Sequence, residues 1–103
     1  MGALRKQAQA LSAQVRAGDS GAAGALLAHS VRLGHGKLAA RRFLLARAMG
    51  AAISDADRLY CAAILDHLSR DAIEAMATDE TEKALRYMNR RKSDGGIPST
   101  PAR

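Results

Sequence analysis

One cysteine and three histidines are the side chains of this sequence that could act as soft metal ligands or as a nucleophile: Cys61, His29, His35 and His67. His29 and His35 are six residues apart, as are Cys61 and His67, and this spacing places neither pair on one face of a helix. No CxxC or HxxxH pattern accompanies them, so the sequence predicts no metal site. Cys61 follows Tyr60 in an apolar segment, which favours a small core residue over a nucleophile.

A second candidate for chemistry is the stretch Gly34-His35-Gly36-Lys37, because glycines beside a lysine are typical of loops that bind phosphate. Such a loop follows a strand and carries Ser or Thr after its lysine, whereas here Leu38 follows Lys37 and a helical segment precedes it. Backbone N–H groups at a helix start could still hold an anion, but the pattern favours a corner between two helices. With the acids scattered along the chain, we expect a protein that is not an enzyme and needs no cofactor.

The elements that position these residues are predicted to be helices. The chain has 103 residues, which suits one domain, and it is rich in alanine, leucine and arginine, with only 3% aromatic residues. Its single cysteine cannot form an internal disulfide, so we expect a reducing compartment, namely the cytoplasm. No apolar run approaches the roughly 20 residues of a membrane span, and a membrane partner is not expected, although the acid-free first helix could lie on an anionic surface.

Charge is divided unevenly along the chain. Residues 1–50 carry eight Lys/Arg residues against the single acid Asp19, a net charge of +7. Residues 51–85 carry three basic residues and eight acids, a net charge of −5, and residues 86–103 are basic again, with a net charge of +4. Such blocks indicate either contact with a polyanion or a basic part of the protein that faces an acidic part or a second copy.

The spacing of apolar residues predicts three helices in the first half of the chain, over about 3–17, 22–33 and 37–49. Asp19 or Ser20 could cap the second of these helices. Gly34 offers the left-handed conformation that ends it, so the second and third helices should form a central antiparallel hairpin.

The second half of the chain leaves one boundary open. Ser54 should cap a fourth helix, but the spacing continues to about residue 77, so that residues 55–77 form either one helix or two, with a break at Ser69. Thr78, followed by acids, predicts another helix start, and the polar, glycine- and proline-rich residues 93–103 predict a disordered tail. We therefore expect an all-α domain over residues 1–92, a small bundle of four to five helices.

The third helix has a pattern of its own. From Gly34, the small or aromatic residues Ala39, Phe43 and Ala46 follow at positions +5, +9 and +12. Over residues 22–50 this resembles the second half of a tetratricopeptide repeat. The resemblance covers about one repeat and departs from the family in the first helix, where Ala23 and Ser30 stand in place of a large aromatic residue. It implies closely packed helices and a surface that holds a peptide or helix of a partner.

The favoured functional hypothesis is a non-enzymatic binding module, an adaptor or small chaperone that engages a partner helix or peptide. Its groove is predicted to be lined by apolar residues of the hairpin, some of which must belong to the ordinary core: Leu26, Leu27, Val31, Leu38, Phe43 and Leu45. Self-association of the basic first half with the acidic middle belongs to the same hypothesis.

The alternative is a basic accessory protein that contacts nucleic-acid phosphates without sequence preference. The residues for this role are basic side chains of the third helix and the last one: Lys37, Arg41, Arg42, Arg47, Arg90, Arg91 and Lys92. On the third helix, Lys37 and Arg41 should share a face, whereas Arg42 and Arg47 should point elsewhere. A helix-turn-helix mode is disfavoured, because Asp55 and Asp57 would lead the recognition helix toward phosphates.

Overall fold

The computed structural model describes the backbone of residues 2–95 and the side chains of residues 5–91. This part of the chain consists of five helices without strands: α1 (Gly2–Arg16), α2 (Ser20–Arg32), α3 (Gly36–Ala48), α4 (Asp55–Leu65) and α5 (Arg70–Gly95). The all-α prediction is therefore confirmed. Within these residues, no helix is both long and apolar enough to cross a membrane.

Local side-chain caps determine where three of the helices begin. The Asp19 carboxylate accepts a hydrogen bond from the N–H of Ala22 at 3.0 Å, and the Ser54 hydroxyl accepts one from the N–H of Asp57 at 3.1 Å. The Ser69 hydroxyl accepts from the N–H of Ala72 at 3.1 Å and so begins α5. Each cap satisfies a donor that the first turn of a helix leaves free. The open boundary is thereby resolved as two helices.

One prediction about α5 is wrong. The helix runs through Thr78 without a new start, because Met76, Glu80 and Ala84 are all buried on the same side and require a continuous helix there. α5 ends at Gly95, three residues beyond residue 92, where the domain was predicted to end. The rest of the predicted tail, residues 96–103, lies outside the described residues.

The α2–α3 pair forms the centre of the bundle as an antiparallel hairpin. Ala23 near the start of α2 lies in the same core cluster as Met49 just after α3, whereas Leu27, further along α2, clusters with Ala39 and Phe43 of α3. Gly34 has φ +72° in the connecting turn, a conformation that favours glycine. Ala39, Phe43 and Ala46, the residues behind the tetratricopeptide-like pattern, are all buried.

The remaining helices cover the hairpin on two sides. One core cluster joins residues of α1, α2, α3 and α5: Val15, Ala22, Ala23, Leu26, Leu45, Ala46, Met49 and Ala84. The other joins α2, α3 and α4 through Leu27, Ala39, Phe43 and Cys61. We call these the α1/α5 side and the α4 side of the hairpin.

The end of α5 passes directly over the turn between α1 and α2. Arg90 donates a hydrogen bond to the carbonyl oxygen of Arg16 at 3.2 Å, and Arg91 donates to that of Gly18 at 3.3 Å. Gly18 has φ +96°, and a Cβ atom there would lie 2.7 Å from the carbonyl oxygen of Tyr87. Glycine is needed here both for the left-handed conformation and for the close approach of α5.

Candidate functional site

The α1/α5 side of the hairpin contains a cavity of about 160 Å³. Its apolar wall is formed by Val15, Leu26, Leu38 and Leu45. Its polar lining consists of four basic residues, one acid and two hydroxyl groups: Arg16, Arg41, Arg42, Lys83, Glu80, Ser12 and Tyr87. We call this the basic cavity, because four basic residues and one acid line it, and two of the four, Arg41 and Lys83, contact that acid.

Helical periodicity explains why these side chains converge. On α3 the lining residues are Leu38, Arg41, Arg42 and Leu45, which are spaced as neighbours on one helix face. Lining residues 12, 15 and 16 of α1 and residues 80, 83 and 87 of α5 follow the same spacing. The cavity therefore arises where one stripe from each of three helices meets Leu26 of α2.

Glu80 is the buried acid of this cavity. It is only 3% exposed, and its Oε2 atom lies 3.1 Å from Lys83 Nζ and 3.5 Å from Arg41 Nη1. A carboxylate is costly to bury unless it is paired, and two cations supply the pairing here. The side chains of Arg41 and Lys83 are 46% and 39% exposed, so both remain open to solvent at the mouth of the cavity.

Arg42 is held in the cavity by a different set of contacts. Its Nη1 donates to the hydroxyl of Ser30, which is fully buried and itself donates to the carbonyl oxygen of Leu26 at 3.2 Å. Burial lowers the pKa of Arg42 from its ordinary value, but a guanidinium remains protonated in proteins. This contact uses one of its five N–H donors, so others can bind an anion.

The charge balance of the cavity favours an anionic ligand. Within the described part of the chain, neither Arg16 nor Arg42 forms an ion pair with a carboxylate, whereas Arg41 and Lys83 share the single carboxylate of Glu80. The four cations and one acid leave a net charge of +3 in a space that is partly shielded from water. Electrostatic attraction is stronger there than on an open surface.

The apolar residues that the sequence assigned to a partner groove lie mostly inside the protein. Leu26, Leu27, Phe43 and Leu45 are buried core residues, because the hairpin is covered on both sides. Val31 is half-buried, and Leu38 is 40% exposed. The set therefore does not form an open groove, although Leu26, Leu38 and Leu45 contribute the apolar wall of the basic cavity.

The predicted basic residues are likewise divided. Arg41 and Arg42 line the cavity together, which corrects the expectation that Arg42 points elsewhere. Lys37 is exposed outside the cavity, and the guanidinium of Arg47 lies 5.7 Å from the centre of the Phe43 ring. Arg90 and Arg91 bind the carbonyl groups at the end of α1, and the side chain of Lys92 lies outside the described residues.

Two of the four lining cations were missed at the sequence level. Arg16 was not among the basic residues assigned to a phosphate-binding role, and Lys83 was not considered, since it sits in the acidic block. The spacing of Glu80, Lys83 and Tyr87 on one helix face was the available signal. Assigning it to a site required knowing that α5 lies across α3.

The side chains first considered for chemistry lie elsewhere. Cys61 is fully buried on the α4 side and donates to the carbonyl oxygen of Ala39 at 3.5 Å. Burial, assisted by the nearby charge of Asp57, raises the pKa of its thiol to about 11, so it is a poor nucleophile at neutral pH. His29 is buried, whereas His35 and His67 are exposed. Among the described residues, no three His, Cys, Asp or Glu side chains are grouped as metal ligands would be.

Comparisons with protein-family models, with curated proteins and with solved structures found no match for this chain. The tetratricopeptide-like resemblance of residues 22–50 therefore stays a prediction. The basic cavity is thus the feature of this protein from which a function can be inferred.

Proposed function

We propose that this protein is a non-enzymatic helical binding module that engages an acidic, amphipathic helix or peptide of another protein, with the basic cavity taking up an acidic side chain of that partner. The observation that carries the proposal is the combination of four cations with one buried carboxylate beside an apolar wall. A carboxylate of the partner would bind the guanidinium groups, for which a paired, charge-assisted geometry is favourable. An adjacent apolar side chain of the partner would contact Leu38 and the wall behind it.

A peptide fits this site better than a nucleic acid does. Non-specific binding of nucleic acid requires several cations spread over an open surface, whereas Arg90 and Arg91 are engaged with the end of α1. Tyr87 is the one aromatic residue in the cavity lining, so there is little on which bases could stack. Contact with nucleic-acid phosphates through Arg41 and Arg42 is the alternative function. In either case we propose a cytoplasmic protein, and as a peptide-binding module it would be an adaptor or small chaperone.

The proposal is tested by titrating the full chain into a fluorescein-labelled amphipathic helical peptide of leucine, alanine and glutamate, and following the anisotropy. A matched peptide has lysine in place of each glutamate, and a duplex DNA of similar length serves as the nucleic-acid probe. We expect binding of the acidic peptide and none of the lysine peptide. DNA binding that exceeds peptide binding at physiological salt would favour the alternative function.

The matched variants are Arg16→Gln and Arg32→Gln, which remove the same charge from two exposed positions, one in the cavity lining and one outside it. The loss of one charge-assisted contact should weaken binding of the acidic peptide about tenfold in Arg16→Gln. Arg32→Gln should bind as the unaltered chain does. Equal weakening by both variants would show that overall charge, and not the cavity, attracts the peptide.

A further inference from the structure

The outer face of α4 has the composition that the basic cavity requires of its ligand. Asp55, Leu59, Ala62 and Asp66 are all exposed and follow one another at the spacing of a single helix stripe. Leu59 is 65% exposed, more than the other exposed large hydrophobic residues of the described chain. We call these four residues the α4 stripe. It is an apolar centre flanked by two carboxylates.

The α4 stripe has no role in the core of its own chain. The opposite face of α4 packs on the hairpin through Cys61, with Tyr60 and Leu65 half-buried around it. Asp55 pairs with Arg58 of the same helix, but both side chains are more than half exposed, and such surface pairs contribute little to stability. The α4 stripe can therefore contact another molecule with little loss of stability from breaking this ion pair.

A single chain cannot place its own α4 stripe in its own cavity. α4 is fixed on the side of the hairpin that contains Cys61, whereas the cavity lies on the side of α1 and α5. The two surfaces are opposite in charge, as are the segments that provide most of them, with +7 for residues 1–50 and −5 for residues 51–85. Such complementarity steers association and specifies its orientation.

We infer that the occupant of the basic cavity is the α4 stripe of a second copy of this chain, an inference that rests on the proposed function of the cavity. Leu59 contacts the apolar wall near Leu38. The carboxylates of Asp55 and Asp66, which lie roughly 16 Å apart along the helix, face the partly exposed cations at the mouth of the cavity. Because the two contacting surfaces differ, the copies form a reciprocal pair, a ring or an open chain.

The test is a complementation experiment on the full chain, with sedimentation velocity as the measurement. Arg16→Glu reverses a charge in the cavity, and Leu59→Lys places a cation at the centre of the α4 stripe. Each variant alone lacks one of the two surfaces in every copy, so its self-association should weaken by about tenfold or more. An equimolar mixture pairs an intact cavity with an intact stripe and should again form dimers.

Leu85→Lys is the matched control, because Leu85 is 60% exposed and lies on α5 outside the cavity lining. It should associate like the unaltered chain, and circular dichroism should show that all three variants are folded. An unaltered chain that stays monomeric at high concentration, or a mixture of the two variants that stays monomeric, would overturn the inference. If the chain is monomeric but binds the acidic peptide through Arg16, the proposed function stands and only the identity of the occupant is wrong.

Discussion

Both sides of the central hairpin have an apolar core, but among the described residues only the α1/α5 side also carries a group of cations around a cavity. On the α4 side, Leu27, Ala39 and Cys61 are fully buried and seal the interior around Phe43. On the α1/α5 side, the long side chains of Arg41, Arg42 and Lys83 meet around a cavity. Small and apolar side chains permit close helix packing, whereas cations must keep their charged ends near water or a counter-ion. The difference separates a structural side from a binding side within one small domain.

The largest effect on stability should come from removing a buried side chain on the α4 side. Leu27→Ala removes a side chain with no exposed surface and should lower the free energy of unfolding by about 2–5 kcal/mol. Leu38→Ala, on the cavity side, should cost less than about 1 kcal/mol, because Leu38 is already 40% exposed. Urea denaturation of both variants measures the difference, and equal losses would show that the wall of the cavity is packed as tightly as the core around Leu27.

An intermediate effect is expected at the carboxylate of the basic cavity. Glu80→Gln removes the shared partner of Arg41 and Lys83 and should destabilise the protein by about 1–2 kcal/mol, since both cations can turn to water. The same change raises the charge of the cavity, so binding of the acidic peptide should become several-fold tighter. Glu82→Gln, at an exposed position of the same helix, is the control. Weaker peptide binding by Glu80→Gln would show that this carboxylate organises the cations instead of competing for them.

The smallest effect on stability concerns the buried thiol of Cys61 on the α4 side. Folding raises the pKa of Cys61 from an ordinary 9.0 to about 11, so the folded state holds its proton more tightly than the unfolded state. This contribution to stability is complete below pH 9 and is lost as the pH rises toward 11. Near pH 10 the loss should be about 1 kcal/mol.

Cys61→Ala controls for the other groups that titrate in this range. Chemical denaturation of the unaltered chain and of Cys61→Ala between pH 9 and pH 11 should show that the free energy of unfolding depends less steeply on pH in Cys61→Ala. Identical slopes would mean that the thiol is not shielded from water in the folded state.

The sequence predicted those features of the fold that depend on neighbouring residues. Gly34, Asp19 and Ser54 act through hydrogen bonds and backbone angles within a few positions, and each was assigned to a turn or cap that the structure confirms. Thr78 misled the prediction because a polar residue before acids resembles a helix start even in mid-helix. The burial of Glu80 that makes α5 continuous there depends on Arg41, which is 39 positions away.

The candidate site was less predictable because it too depends on contacts between residues that are far apart in the sequence. The sequence singled out Arg41 and Arg42, but it could not place them with Lys83, which belongs to a helix that crosses α3 only in the folded protein. It also treated Leu26, Leu27, Phe43 and Leu45 as a surface, since a single helix pattern does not reveal how many sides of a hairpin are covered. Both errors concern tertiary packing and not the identity of the helices.

The contact between the end of α5 and the turn after α1 has a consequence for the order of events during synthesis. The carbonyl oxygens of Arg16 and Gly18 receive their donors from residues 74 and 73 positions later in the chain. A ribosome that has released only the first four helices has not yet supplied those guanidinium groups. α1 can pack against α2 before α5 is made, but the two carbonyl groups at its end remain without these donors until then, and a chain cut short before Arg90 would lack both hydrogen bonds.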